Sequence, residues 1–294
     1  MKRAGCLFLA IAPVATLVVY LLGPEPDAGG SGDRSSASQG SDALADETQR
    51  ELDERIRKMP KGLAAKDKKE LAQRIVASAE NSTLDWRANY GYIEDIGDGN
   101  GYTAGIIGFC SGTHDMLQLV ERYTKEHPDN GLAKYLPALR AVDGTDSHEG
   151  LEDLPAAWER EAGKAAFREA QDRLRDDDYF EPAVRQAKMD GLNTLGQFMY
   201  YDAMVLHGPG TDSRGFYGIR EEAMERAQTK AEGGDEKAYL KAFLDVRREV
   251  MKAKDADRDT SRIDTAQRVF LKAGNLALET PLQWKVYGDP YRVN

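Results

Sequence analysis

Residues 182–207 limit what this chain can become. Val184, Ala187, Leu192, Leu195, Phe198, Met199, Ala203 and Leu206 recur there at helical spacing. An apolar pattern that long and broad cannot face water, so it is expected as a central helix with other elements packed around it. Gly191 and Gly196 let neighbours approach closely, at a propensity cost of about 1 kcal/mol each. Asp202 interrupts the apolar surface. A buried ionised carboxylate requires a cationic partner, most economically an arginine, and Arg247 and Arg262 are the downstream candidates. His207-Gly208-Pro209-Gly210 ends the run. With no second histidine close in sequence, His207 suits a structural role better than a metal ligand.

Helical spacing recurs through most of the remaining chain. It marks residues 66–79 through Leu71, Ile75, Val76 and Ala79, and a segment capped by Thr113 through Met116, Leu117, Val120 and Tyr123. Asp129 can cap a third, with Leu132, Tyr135, Leu136 and Leu139; a fourth runs from Pro155 past Trp158 and Phe167 to Asp176-Asp177-Asp178. Further helices are expected near 219–227, 237–252 and 264–273, before an aromatic tail with Trp284 and Tyr287. Residues 90–96 and 103–109 suit short strands on either side of the turn Gly97-Asp98-Gly99-Asn100-Gly101. The expected class is therefore mainly α with a small β region, and no 20–50-residue period suggests a solenoid.

The ends of the chain differ from its middle. Lys2 and Arg3 precede an apolar stretch over residues 4–23, so 1–23 is expected as an export signal or a membrane anchor. Pro24-Glu25-Pro26 follows in place of a small-x-small cleavage site, which keeps the anchor alternative open. Residues 24–61, rich in Gly, Ser, Ala and Asp and then in charge, are expected as a linker or stalk. A charged helix with little apolar content fits within it, with Ser41, Asp42 and Thr48 as possible caps and an end near Met59. The folded domain is expected over 62–294, outside the cytoplasm, with membrane contact only if the first segment is retained. The net charge of −10 argues against nucleic acid and favours cationic partners. Cys6 lies in the apolar segment, leaving Cys110 without an internal partner, and Phe109-Cys110-Ser111 suits a small buried packing residue.

The chemistry narrows by elimination. The chain has no Gly-x-Ser-x-Gly, His-Glu-x-x-His, phosphate loop or dinucleotide fingerprint, and only four histidines. The glycine-rich turn fails as a calcium loop, because Ile96 and Ile107 would stand where oxygen donors are required. No metal or cofactor is expected. Paired carboxylates remain. Glu80 follows the apolar stripe of 66–79, where desolvation would raise its pKa as a general acid needs. Asp98 lies in a polar loop eighteen residues on. Two carboxylates on separate elements, one against an apolar wall and one in a polar loop, suit acid/base hydrolysis of a glycosidic bond.

Residues 77–115 carry Ala-Ser-Ala-Glu-Asn-Ser-Thr-Leu-Asp-Trp, Tyr-Ile-Glu-Asp-Ile-Gly-Asp-Gly and Gly-Tyr-Thr-Ala-Gly-Ile-Ile-Gly-Phe-Cys-Ser-Gly-Thr-His-Asp. This stretch closely resembles the chitosanases of glycoside hydrolase family 46, secreted actinobacterial members most. The likeness continues through Leu195-Gly196-Gln197-Phe198, His207-Gly208-Pro209-Gly210, Thr260-Ser261-Arg262 and Trp284-Lys285-Val286-Tyr287-Gly288-Asp289-Pro290-Tyr291. The resemblance implies a two-lobed, lysozyme-like fold with a small β-sheet beside the cleft, and inverting endo-hydrolysis of β-1,4 linkages in chitosan by a monomer. It implies Glu80 as general acid, Asp98 as general base and Thr103 as a holder of the attacking water. Arg262, Asp202 and Arg247 would form a supporting charged network. Asp115 would bind a glucosamine ammonium, with Thr113 and Asp257 as further substrate contacts.

Four positions depart from the family pattern. Lys254 stands where the network normally has a Glu, Asp257-Arg258 where a His-Asp pair often contacts sugar, and Asn100 where several members have a basic residue. Asp255 is the nearest substitute carboxylate. Two alternatives stay open at this point: a hydrolase of another amino-sugar polymer such as peptidoglycan, and a cell-surface module that binds chitosan without cleaving it.

Overall fold

A computed structural model describes residues 50–294. The signal or anchor expected over 1–23, and most of the linker expected over 24–61, lie outside the described residues. Residues 50–58 are helical (α1) and belong to a unit separate from Lys61–Asn294.

Within Lys61–Asn294 the centre is α8 (Thr194–His207), in which every residue from Leu195 to His207 is buried. A helix that is apolar on all sides must be enclosed on all sides. The expected continuous helix over 182–207 is, however, two: α7 (Glu181–Met189) and α8. Gly191 adopts φ +75°, and a Cβ there would lie 3.0 Å from the Ala231 backbone nitrogen. The polar groups at the break are satisfied across the fold. Asp190 accepts both arms of Arg220 at 2.7 and 2.6 Å and the Tyr200 hydroxyl at 2.6 Å, while the Asn193 backbone donates to Glu236 at 2.6 Å. Buried polar partners at 190–193 thus stabilise a corner that apolar periodicity alone does not reveal.

The other elements form two groups. In the first, α3 (Asp115–Glu126) packs on α4 (Leu136–Val142) and α6 (Ala165–Arg175), and α5 (Leu154–Ala162) packs on α6 and on β1. The sheet of this group is antiparallel in the order β1 (Ile93–Asp95), β2 (Tyr102–Ala104), β3 (Phe109–Cys110). In the second, α8, α9 (Phe216–Arg226), α10 (Glu236–Lys254) and α11 (Arg268–Lys272) pack in succession. A π-helical turn, Asp176–Phe180, runs from α6 into α7 and joins the two groups. The result is a mainly helical, two-lobed architecture with a small three-stranded sheet in the first group. Helix α2 (Lys66–Glu80) buries Ile75 through Glu80 without interruption.

Several local expectations change. The run expected from Pro155 onward is two helices, α5 and α6. Thr113 does not cap α3, since its hydroxyl donates to Asp115 at 2.8 Å. Asn130, rather than Asp129, receives the backbone nitrogens of Leu132 and Ala133 at 2.7 and 3.0 Å. The strand expected over 103–109 is divided by a turn into β2 and β3. The aromatic tail is an antiparallel hairpin, β4 (Leu282–Val286) and β5 (Asp289–Val293), in register from Leu282↔Val293 to Val286↔Asp289. Its signal was present: Leu282, Trp284 and Val286 alternate with exposed Gln283 and Lys285, and Tyr287-Gly288 takes φ +53° and +90° at the two-residue turn.

Candidate active site

Glu80 is the last residue of α2 and is 7% exposed. Arg262 donates from Nη1 to Glu80 Oε1 at 2.7 Å and from Nη2 to Asp202 Oδ1 at 2.9 Å. Asp202 projects from α8 and is buried; its Oδ2 accepts from Arg247 Nη2 at 2.9 Å and from Gln267 Nε2 at 2.5 Å. Gln267 Oε1 in turn accepts from Arg247 Nη1 at 2.9 Å. The result is a buried chain, Glu80–Arg262–Asp202–Arg247, closed by Gln267.

Arg262 and Gln267 are the first and last residues of a second π-helical turn, Arg262–Gln267. The i→i+5 repeat of such a turn brings residues five apart onto one face, so both side chains reach Asp202, and π-turns often occur at functional sites. Gln267 was not singled out from sequence; its only signal was its spacing from Arg262.

The electrostatics separate the two buried carboxyls. Burial raises the Glu80 pKa, and the attraction of Arg262 does not overcome it. Burial also acts on Asp202, but Arg262 and Arg247 together hold its pKa below the ordinary carboxylate range. One carboxyl is therefore disposed to hold a proton and the other to remain charged between two guanidiniums. Once Glu80 gives up its proton, the new carboxylate already has Arg262 in hydrogen-bond contact. His207 is buried nearby, and burial with the Arg247, Arg262 and Arg258 charges pushes its pKa well below the usual value, so it is neutral.

Asp98 lies in the connection between β1 and β2, where Gly97, Gly99 and Gly101 all take positive φ. Alternating glycines let the chain loop tightly without the Cβ penalty of a left-handed backbone. Asp98 Oδ1 accepts the Asn100 backbone nitrogen at 3.1 Å and Oδ2 accepts Asn100 Nδ2 at 2.9 Å, so Asn100 orients this carboxylate. Asp98 is partly exposed. The neck of the loop is the register pair Asp95↔Tyr102. His148 touches both sides of it, its ring 4.2 Å from the Tyr102 ring and its Nε2 3.7 Å from Asp95. Thr103, next on β2, is buried with its hydroxyl 3.4 Å from Cys110 Sγ. Cys110 itself is buried, and its Sγ donates to the Gly108 carbonyl at 3.3 Å.

Thr113 and Asp115 are buried and bonded to each other. Asp115 Oδ1 also accepts the backbone nitrogens of Cys110 and Met116 at 3.0 Å each, and Oδ2 accepts the Tyr179 hydroxyl at 3.3 Å. Burial pushes the Asp115 pKa up to about 7. Asp257 is exposed on the loop after α10, its backbone nitrogen bonded to Asp255 at 2.9 Å. Asp255 is exposed as well and is engaged in that turn, whereas the Glu80 network is buried. Lys254 is the exposed last residue of α10. Among the described residues no group of three His, Cys, Asp or Glu could hold a metal ion.

The model of glycosyl hydrolase family 46 matches residues 74–282, a span that contains Glu80, Asp98, Asp202, Arg247 and Arg262. The chain belongs to glycosyl hydrolase family 46. Among its family 46 relatives, a chitosanase of Streptomyces sp. (strain N174) is 60% identical over 234 residues, covering 79% of this chain and 84% of the relative. A chitosanase of Nocardioides sp. (strain N106) is 58% identical over the same coverage of each chain. Chitosanase OU01, solved in a co-crystal with substrate, superimposes with a TM-score of 0.78 at 54% identity, covering 79% of this chain and 99% of that one. Membership in family 46 accounts for the mainly helical, lysozyme-like fold.

Proposed function

We propose that this chain is an inverting endo-chitosanase. The observation that carries the reading is the buried chain from Glu80 through Arg262 to Asp202 and Arg247; the β1–β2 loop supplies a second, partly exposed carboxylate, Asp98. Glu80 acts as general acid. Burial keeps its proton in place until the glycosidic oxygen takes it, and Arg262 then stabilises the carboxylate that forms. Asp98, oriented by Asn100, acts as general base on a water that attacks the anomeric carbon from the opposite face. Thr103 helps to hold that water. Family membership, the chitosanase relatives and the acidic charge of the chain all favour a cationic glucosamine polymer as substrate.

The full chain incubated with highly deacetylated chitosan tests this directly. Endo-cleavage predicts a steep fall in viscosity while few reducing ends have appeared. Equal turnover of N-acetylated polymer would transfer the reading to another amino-sugar substrate. Binding without product release would make the chain a chitosan-binding module.

Asp115 is assigned to a substrate ammonium, with Thr113 bonded behind it. Asp115→Asn retains a carbonyl oxygen for the Cys110, Thr113 and Met116 donors and loses the negative charge. Loss of one charge-assisted contact is worth about 1.5–3 kcal/mol, so KM should rise about tenfold or more while Tm at pH 7 changes little. An unchanged KM would remove Asp115 from the substrate path. Asp257, on its exposed loop, is assigned a peripheral sugar contact. Lys2-Arg3 and the apolar stretch after them support export of the enzyme, with the N-terminal segment either removed or retained as an anchor. Cell fractionation and the mass of the mature N-terminus distinguish those outcomes.

A further inference from the structure

Tyr287 stands where the C-terminal hairpin meets both ends of the Glu80–Arg262 pair. Its hydroxyl donates at 3.1 Å to the carbonyl of Ala79, the residue immediately before Glu80. Its backbone nitrogen donates at 2.8 Å to Ser261 Oγ, the residue immediately before Arg262. The same hairpin makes two flanking contacts. Trp284 Nε1 donates to Ser78 Oγ at 2.9 Å, and the Lys285 carbonyl accepts Thr265 Oγ1 at 2.7 Å within the Arg262–Gln267 turn. One residue at a left-handed turn (φ +53°) therefore bonds to the neighbours of two side chains that are 182 positions apart in sequence. A left-handed non-glycine residue is uncommon, and here it is held from both sides.

We infer that Tyr287 is a positioning residue for the general acid: its two bonds fix the end of α2 against the Arg262 turn and so hold the Glu80 carboxyl in its buried contact with Arg262. The inference rests on the reading of Glu80 as general acid. Glu80 faces Arg262, Asp202 and Arg258; Tyr287 faces these arginines, Glu80 and Asp259. None of the other groups is altered by removing one phenolic oxygen. Without the tether to the Ala79 carbonyl, the last turn of α2 gains freedom and Glu80 gains water. A better-hydrated carboxyl loses its proton at lower pH.

The test compares Tyr287→Phe with the parent chain on deacetylated chitosan across pH. A small misplacement of a reacting group is costly, so kcat is expected to fall about tenfold with KM nearly unchanged. The alkaline limb of the kcat profile, where the acid is lost, should move down by about half to one pH unit. Val293→Ala serves as the control, because Val293 packs at the open end of the same hairpin, far in register from the turn. It should lower Tm and leave the alkaline limb in place. Equal limb shifts in both variants, or no shift in Tyr287→Phe, would overturn the inference. A parent chain that cleaves chitosan, with its activity lost in Glu80→Gln, establishes the underlying reading independently of either result.

Discussion

Glu80→Gln should lower kcat on chitosan by about 10²–10⁴-fold, the usual contribution of a positioned general acid, with little change in KM. Gln is the informative replacement because it keeps the shape and the acceptor oxygen. Arg262 Nη1, now 2.7 Å from Oε1, still has a carbonyl oxygen to donate to, so Asp202 and Arg247 keep their places. What disappears is the transferable proton. The same variant has a stability signature. The folded pKa of Glu80 is raised by burial, so the folded state binds the proton more tightly than the unfolded chain does. That contribution is full below the unfolded pKa and is lost as pH rises through the folded one. Glu80→Gln cannot lose it, so the Tm of the parent should fall relative to the variant as pH rises from 4. Thermal melts over a pH series read this, and near-parental activity in the variant would place the acid elsewhere.

Asp202→Ala should have the largest effect on stability. Arg247 and Arg262 are 0% and 3% exposed, and Asp202 is the carboxylate that bonds to both. Removing it leaves two buried guanidiniums whose neighbouring carboxyl, Glu80, is disposed to be protonated. Breaking a buried ion pair by deleting one partner costs about 3–5 kcal/mol. For a domain of this size each kcal/mol shifts Tm by about 2–4 °C, so a fall of about 6–20 °C is expected. Asp202→Asn, which retains the shape and one acceptor, should fall between the two. Because Arg262 and Arg247 depress the folded pKa of Asp202 against the effect of burial, its contribution is present above the unfolded pKa and is lost as pH falls through the folded one. The Tm gap between parent and Asp202→Ala should therefore narrow in strong acid. A gap that is small at neutral pH would mean that water replaces the lost carboxylate.

The parts of this site that were legible in sequence are those that break a pattern. Asp202 among Phe198, Met199, Ala203 and Leu206 violates an apolar face, and burial physics then demands an arginine. The structure brings two to it, Arg247 and Arg262. Glu80 was legible because the apolar stripe of α2 runs directly into it. The loop that carries Asp98 was legible because Gly97, Gly99 and Gly101 announce a tight turn. The corner at 190–193 was hidden because apolar spacing continues across it; only the left-handed Gly191 and the buried Asp190–Arg220 pair divide the helix. The π-helical turn at 262–267 was hidden because one extra residue per turn leaves no compositional trace. Gln267 was missed for that reason, and Tyr287 because its role depends on where a hairpin folds back.

The Glu80–Arg262 contact spans 182 residues, and Tyr287 links Ala79 to the β4–β5 hairpin over 208. Contacts of such long sequence separation form only after much chain entropy has been lost. During synthesis, therefore, the Glu80 carboxyl exists long before the contacts that fit it for the proposed general-acid role. A nascent chain released as far as α10 has Glu80, Asp98 and Asp202 but neither the arginine turn nor the hairpin that holds it. Hydrolysis thus begins only when the Arg262 turn and the β4–β5 hairpin have docked, and the appearance of activity during refolding marks their closure on α2 rather than collapse of the core.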